Sequence, residues 1–436
     1  MTLLDARSGV VRELRPATLP ADMPDALYLV ESVISDTTRW SCWPSDPAAA
    51  GCAFWDEHAA EAAALGEAVE RYCGNLVPPG LLTASYTQLD RAAVAAIDPC
   101  SLALYTAEQY KTPGFPFVPF TRDLEVRWSQ GREIRTGSPC QVPSSLVWVT
   151  YLRAPLTESE PRTNPTIYAG IAAGPTRAAA EQSALLELLE RDAVAIGWIS
   201  GSPIKEVLPA TWLGQLAAGP ERAFRARFLH FPSLVGVPVI GTLLVHEPTG
   251  HVALGTACRA TPLEAAMKAL AEAFQLHLVV RQLDDPTSPL CRLATTPNSP
   301  LKPWRADRRY GLAYRQDRRD ATDLGCHLQL HLDPAVRASL DGAFQPSTTS
   351  LLDIPSADSD VNALAGRLLA AAGISVISVD VTTADVAAAG LSVVRLVAPG
   401  LYSNAPAAMP YLGGTRLAAE MDRCGGGLRW EPLPYG

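Results

Sequence analysis

A chain of 436 residues, 48% of them hydrophobic, is long enough for one large unit or two to three domains with a substantial core. A net charge of -9 and a pI near 5.4 argue against nucleic acid or an anionic membrane as a bulk partner. No apolar run reaches the length of a membrane span and Met1-Thr2-Leu3-Leu4-Asp5 begins no secretory signal, so a soluble cytoplasmic protein is expected. The nine cysteines are dispersed without a C-x-x-C, which disfavours a disulfide framework or a zinc ribbon. Most are expected to be small buried hydrophobes, and the histidines, none in an H-E-x-x-H motif, are expected to be structural.

In chain order, the first fifty residues mix Pro, Trp and Cys with short strand-like pieces such as Leu27-Tyr28-Leu29-Val30. A long helix is predicted from about Asp56 to Tyr72, with Gly74 just past its end. Leu124 to Trp128 reads as a strand with Ser129-Gln130-Gly131 as its turn, and Val142 to Arg153 as another strand-like run. The polar stretch from Glu158 to Pro165 is an internal boundary. The small-residue loop Gly170-Ile171-Ala172-Ala173-Gly174 leads into a second helix capped by Thr176, a junction that lets backbone N–H groups approach an anion. It lacks the P-loop pattern. A hairpin follows over residues 237–254, then a third helix from Pro262 capped by Thr261. The basic and aromatic run from Trp304 to Arg319 reads equally as a solvated loop or as a docking surface for an acidic peptide. The last ninety residues look α/β, with strands over 374–381 and 391–397, and the chain ends Pro432-Leu433-Pro434-Tyr435-Gly436.

The three predicted helices carry one phrase. Ala64 to Arg71 and Ala184 to Arg191 both read A-L-x-E-x-x-E-R, and Ala269 to Gln275 reads A-L-x-E-x-x-Q. Acids at i and i+3 share a helical face and repel one another. One copy alone is an ordinary solvated salt-bridge helix, whose Glu-to-Arg pairs contribute a few tenths of a kcal/mol by the usual magnitude, about 0.3. Three copies in Ala- and Leu-rich flanks, at unequal spacings too long for a stacked repeat, suggest carboxylates converging on a shared cation. Mg2+ is the hard, oxygen-seeking ion that bridges to nucleotide phosphates, which the arginines would also hold.

This ordered set, joined by Trp128 with Gly131, Val142-Pro143, Val394-Arg395, Pro399-Gly400-Leu401 and Leu412-Gly413-Gly414-Thr415-Arg416, resembles the YcaO family of ATP-dependent enzymes that modify peptide backbones. The resemblance covers roughly residues 50 to 420. It implies an α+β fold of mixed β-sheets flanked by helices, with the three Glu-bearing helices converging on a nucleotide site. The chain is then a single unit over 1–436, subdivided at 1–155, 156–345 and a C-terminal α/β part at 346–436. By match of motif, Glu67, Glu70, Glu187, Glu190 and Glu272 are the implied ligands of Mg2+. Arg71, Ser183, Glu187, Arg191, Gln275 and Arg416 surround ATP. Tyr435 and Gly436 of the proline-containing tail reach the active site, with Trp430 anchoring the segment.

The implied reaction is phosphorylation of a backbone amide oxygen in a ribosomally synthesised precursor peptide, with ATP cleaved to ADP and phosphate. A Cys, Ser or Thr nucleophile gives thiazoline or oxazoline, an amino terminus a macrocyclic amidine, and sulfide a thioamide. Cyclodehydration is the leading expectation, and a degenerate member that only binds peptide or nucleotide is the alternative from another class. The absence of paired C-x-x-C ligands resembles standalone members, including those of bottromycin-like pathways. For such a member a separate partner protein is either not required or left open by the sequence, and a homodimer is one assembly it allows. Against the family pattern, Ala63 stands for a Ser, Ala169 for an Asn, and Gly51-Cys52-Ala53 where Gly-Lys-Gly is common.

Overall fold

The computed structural model describes residues 3–39, 41–42, 46–153 and 159–435. Its strands form three sheets. β1 (Val11–Pro16), β2 (Leu27–Ile34) and β3 (Ala48–Phe54) make a small antiparallel meander. A second sheet draws from both sides of the sequence: β4 (Leu82–Ala84), β5 (Val126–Glu133) with β6 (Pro139–Pro143), β7 (Ile171–Gly174), β13 (Ile377–Asp380) and β14 (Ser392–Val397). Its order is β4-β5-β13-β14-β7, with β6 on β5, and every pairing is antiparallel. The third sheet runs β11 (His251–Cys258), β10 (Val239–His246), β9 (Phe224–Phe231), β8 (Ile204–Val207) and β12 (Phe344–Gln345), parallel only at β8–β12. Among the described residues no helix is long and apolar enough to cross a membrane.

The three long helices lie where the sequence put them, at Glu57–Cys73, Arg177–Ile199 and Pro262–Leu283. Each begins at an oxygen cap: Asp56, Thr176 and Thr261 accept from the backbone N–H three residues on. Their inner faces are rows of alanine, Ala60, Ala64 and Ala68 on the first and Ala265, Ala269 and Ala273 on the third, all fully buried. Small faces permit close approach. A Cβ at Gly51 of β3 would collide with the backbone of Ala60 and Ala64, and one at Gly255 of β11 with that of Ala269 and Ala273. Helix and strand are therefore drawn together at both places, and the helix faces carrying the acids are set directly over the strand edges.

Three strand expectations are corrected. Ile171–Gly174, read as part of a small-residue loop, is strand β7, paired with β14. Ser129-Gln130-Gly131 is strand rather than turn, since β5 runs on to Glu133. Gly131 is there because a Cβ would lie 2.9 Å from Ile377 and 3.1 Å from the Ser378 carbonyl of the neighbouring β13. The run from Val142 to Arg153 leaves the sheet at Pro143 and continues as 3-10 turns at Ser144–Leu146 and Tyr151–Arg153. Of the proposed boundary loop, Glu158 lies outside the described residues. The basic run of the third region is neutralised locally: Arg305 pairs with Asp307, Arg315 with Asp317 and Arg308 with Asp284, while Tyr310 and Tyr314 are buried.

Candidate nucleotide and metal site

The faces of the three helices meet over a cavity of about 550 Å³. Glu67, Glu70 and Arg71 line it from the first helix, Ser183, Glu187, Glu190 and Arg191 from the second, and Glu272 and Gln275 from the third. Four of the five acids are oriented by bonds to neighbouring backbone and strands. Glu70 accepts the Ala173 N–H of β7 at 2.8 Å, and Glu187 accepts the Gly170 N–H at 2.9 Å. Glu190 accepts from the Thr256 hydroxyl at 2.6 Å and the Cys258 N–H at 3.2 Å, both on β11. Glu67 holds the Ala50 N–H of β3 at 3.3 Å and Arg71 at 3.1 Å. The loop before Gly170 is fixed by fully buried Arg395, which donates to the carbonyls of Val147, Ile167, Tyr168 and Ala169.

Electrostatically the site is short of positive charge around its deepest acids. Burial, aided by Glu187 and Glu67, pushes the Glu70 carboxyl up to about 8 against its Ala173 hydrogen bond. Burial also raises Glu190, with Glu272 and Glu187 adding to the effect and Arg191, 3.2 Å away, opposing it. Such carboxylates are stabilised as anions by a divalent cation.

Four cations face the same space. The Arg71 guanidinium lies 4.3 Å over the Tyr168 ring, and its buried Nη1, 3.8 Å from the Asp46 carboxylate, has no hydrogen-bond partner among the described residues. Arg191 sits between Glu187 and Glu190. Lys268 pairs with Glu272 at 3.3 Å, one turn earlier on the third helix, and Arg259 makes no ion pair among the described residues. Lys268, Arg259, Tyr168 and Thr256 were not anticipated. The spacing of Lys268 to Glu272, a single turn on an already marked helix, was the available signal, and it places a lysine in the pocket although the Gly-Lys-Gly upstream is missing.

Arg416 is the correction to the expected set. It does not line the cavity but makes a bidentate pair with buried Asp192, at 2.6 and 2.8 Å. Asp192 follows Arg191 by one residue, so it leaves the second helix about 100° round from it, toward the helix Arg416–Cys424 and away from the acids. Ser183 and Gln275 do line the pocket, Ser183 at its exposed rim and Gln275 accepting from the Cys52 thiol at 3.2 Å.

The C-terminal tail runs into this site. The Glu431 carbonyl accepts from the Trp198 indole at 2.8 Å and its carboxylate pairs with Arg318 at 2.7 Å. His331 Nε2 donates to the Pro432 carbonyl at 2.7 Å, and the Leu254 N–H of edge strand β11 donates to the Pro434 carbonyl at 2.7 Å. The tail thus covers an edge that would otherwise be unpaired. Leu433 and Tyr435 are buried. The Tyr435 ring lies 5.9 Å from the Arg191 guanidinium and lines the cavity, and burial pushes its hydroxyl up to about 12, leaving it a neutral donor. Trp430, expected as the anchor, is 60% exposed. Leu433 and the backbone bonds anchor the segment instead. Gly436 lies outside the described residues.

A family model described as YcaO cyclodehydratase, ATP- and Mg2+-binding, matches residues 55–402. No curated protein matches the chain. Among solved structures, a heterocyclase in complex with substrate and cofactor aligns with a TM-score of 0.68 at 18% identity, over 99% of this chain and 56% of its own. The heterocyclase TruD aligns at 0.57 and 20% identity, over 85% and 48%. The YcaO protein from Methanopyrus kandleri, bound with AMPPCP and Mg2+, aligns at 0.57 and 19%, over 98% and 91%. The chain therefore spans about half the length of the two heterocyclases and nearly all of the third protein.

Proposed function

We propose a reaction from one premise: the chain belongs to the YcaO family. ATP and Mg2+ are that family's ligands, and the donor set fits them: clustered oxygen anions of raised basicity for the metal, and arginine and lysine for phosphates. We assign Glu67, Glu70, Glu187, Glu190 and Glu272 to the metal, and Arg71, Arg191, Arg259, Lys268, Ser183 and Gln275 to the nucleotide. Bound Mg2+ supplies neutralisation of the phosphate charge.

The activity we propose is ATP-dependent cyclodehydration of a ribosomally synthesised precursor peptide. A Cys thiol, or a Ser or Thr hydroxyl, of the peptide loses its proton and adds to the preceding amide carbonyl. The resulting oxyanion takes the γ-phosphoryl group from ATP, releasing ADP. Phosphate then departs with its C–O bond, the amide N–H proton is lost, and the azoline remains. Positioning and charge neutralisation carry this chemistry, so no protein nucleophile is required. Arg71, Arg191, Arg259 and Lys268 hold the phosphates in line with the oxyanion. The neutral Tyr435 hydroxyl, its ring held beside Arg191, orients the substrate amide by hydrogen bonding.

The observation that carries this reading is the convergence of acids from three helices with four cations and the tail on one cavity. A scaffold that only bound peptide would gain nothing from buried, mutually repelling carboxylates, which weakens the degenerate alternative. The test is incubation of the protein with a precursor peptide and ATP, followed by peptide mass and nucleotide analysis. Loss of one water per event with ADP and phosphate formed supports cyclodehydration, and fragmentation that places the loss at the amino terminus assigns the macrocyclic amidine instead. Replacement of oxygen by sulfur assigns thioamidation. AMP and pyrophosphate as obligatory products, or a covalent peptidyl-enzyme, would overturn the proposed activation.

A further inference from the structure

The β10–β11 hairpin and the third motif helix bring three histidines together on the far side of that helix's acids. His246 ends β10, His251 opens β11, and the two face each other in register. His277 comes from the helix, five residues after Glu272, about 7.5 Å farther along its axis. All three are buried, and they offer nitrogen atoms within 4.8 Å of one another.

Their hydrogen bonding is unequal in a telling way. His246 Nε2, His251 Nδ1 and His277 Nε2 are buried and have no hydrogen-bond partner among the described residues. The opposite nitrogens of the first two are held: His246 Nδ1 meets the Thr249 hydroxyl at 2.7 Å, and His251 Nε2 meets the Asp284 carboxylate at 2.9 Å. Asp284 is in turn fixed by Arg308. Asp22 lies beside this group of three, its Oδ2 3.0 Å from His246 Nε2 and its Oδ1 buried without a hydrogen-bond partner among the described residues. Arg281 lies 3.4 Å from Asp22, so the positive charge of Arg281 and Arg308 offsets the two aspartates.

Aromatic packing alone is a poor account of this cluster. Phe224 lies 4.8 Å from the His246 ring and 5.0 Å from the His277 ring, and a phenyl ring at any of the three positions would pack there without orphaning a nitrogen. Two of the three imidazoles, His246 and His251, have one nitrogen bonded and the other without a hydrogen-bond partner, the arrangement of metal ligands held by their outer partners, carboxylate-to-histidine included. We propose that His246, His251 and His277, with the Asp22 carboxylate as the fourth ligand, form a structural Zn2+ site. Three imidazoles and one carboxylate suit this borderline ion, and a closed, buried set of four is the structural rather than the catalytic pattern. Metal-to-nitrogen distances of about 2.0 Å put tetrahedral ligand atoms about 3.4 Å apart, so rotations drawing the three rings inward by about an ångström close the histidine set, and the Asp22 side chain turns in to complete it. The ion would tie the helix of Glu272 and Gln275 to the hairpin strand that positions Glu190 through Thr256. It is distinct in ligand chemistry from the all-oxygen Mg2+ set.

The full chain, produced without a histidine tag, is stripped with a chelator, dialysed against micromolar Zn2+ and assayed for metal by mass spectrometry. A parallel Co2+ titration is followed in the visible. The expected result is one Zn2+ per chain, with tetrahedral Co2+ bands that Zn2+ displaces and Mg2+ does not. His251→Phe and His277→Phe keep a ring in place and remove a ligand, and each should lower the Zn2+ content to about a tenth of that of the unaltered chain. Asp284→Asn should weaken Zn2+ binding by about 10- to 100-fold while leaving the stoichiometry at saturation unchanged. Failure of the unaltered, folded chain to retain Zn2+, or retention of the same content and the same Co2+ spectrum by folded Phe variants, overturns the site. Should the Phe variants not fold, the unaltered chain's stoichiometry and Co2+ spectrum decide alone.

Discussion

Glu70 gives the sharpest test of the acidic cavity, because its cost is expressed in the fold before any ligand is added. Its carboxyl is raised from an ordinary 4.5 to about 8, so the folded state resists its ionisation. For an acid whose folded pKa is raised, the penalty is absent below the unfolded value, grows as pH climbs through the interval, and is constant above the folded value. At pH 7 the interval traversed is about 2.5 units, or about 3 kcal/mol at roughly 1.4 kcal/mol per unit. Because the cavity opens to water, about 2 kcal/mol is the better figure. Glu70→Gln removes the charge and keeps an oxygen for the Ala173 N–H.

With an unfolding entropy of roughly 2.1 cal/mol/K per residue, such a change corresponds to about 2 °C in a chain of this length. The variant should therefore melt about 2 °C higher than the unaltered protein at pH 7 to 8 in chelator, and the difference should vanish near pH 5. Mg2+ with ATP should reverse the order, since the ligands stabilise only the chain that can bind them. Differential scanning calorimetry across pH, with and without the ligands, measures all three. A variant equally or less stable at pH 8 without metal, or a difference that does not change between pH 5 and 8, refutes the reasoning.

Glu187→Gln and Glu190→Gln should each reduce ATP consumption to background in a phosphate-release assay while near-ultraviolet circular dichroism remains native; retained turnover in both would remove these acids from the metal assignment. Deleting residues 432–436 should depress peptide modification far more than nucleotide affinity measured by calorimetry, and unchanged modification would refute the tail's role. His331, held down to about 4 by burial despite its bond to Pro432, favours the folded chain fully above about pH 6.5 and loses that contribution as pH falls toward 4. The melting-temperature difference between the unaltered chain and His331→Gln should accordingly shrink or invert from pH 7 to pH 5 by an amount equivalent to about 2 kcal/mol, and a pH-independent difference would discount the buried neutral imidazole.

The helices were legible in the sequence because the information is local: caps at Asp56, Thr176 and Thr261, alanine faces, and acids at i and i+3 all lie within one turn of each other. Convergence of those helices was legible only through repetition of the phrase, since nothing in a single copy separates Glu190, buried against β11, from a solvated glutamate. What depends on pairing between distant strands was opaque. Gly131 reads as a turn glycine until β13, almost 250 residues later, is laid beside it. Arg416 follows a glycine pair in the expected motif, yet its partner is set by the face from which Asp192 leaves the second helix. The histidines of the hairpin are likewise five residues apart in sequence but joined by strand register, and His277 reaches them only through packing of the third helix.

Arg191 is where the local phrase and the distant tail meet. It is one residue of the repeated motif, yet it neutralises Glu187 and Glu190 on its own helix and faces the Tyr435 ring of the last segment. Because Glu190 is itself bound to Thr256 and Cys258 of β11, and β11 pairs through Leu254 with Pro434, the acid, the strand and the tail form one closed circuit of contacts. A nucleotide phosphate that draws Arg191 away from Glu190 would loosen the charge opposing that acid's ionisation penalty and the contact holding Tyr435 at once. Metal binding would compensate the first and substrate the second. The arrangement thus couples occupancy of the cavity to the position of the tail through a single guanidinium, so removal of the tail is expected to act chiefly on the peptide step, with a smaller effect on nucleotide affinity.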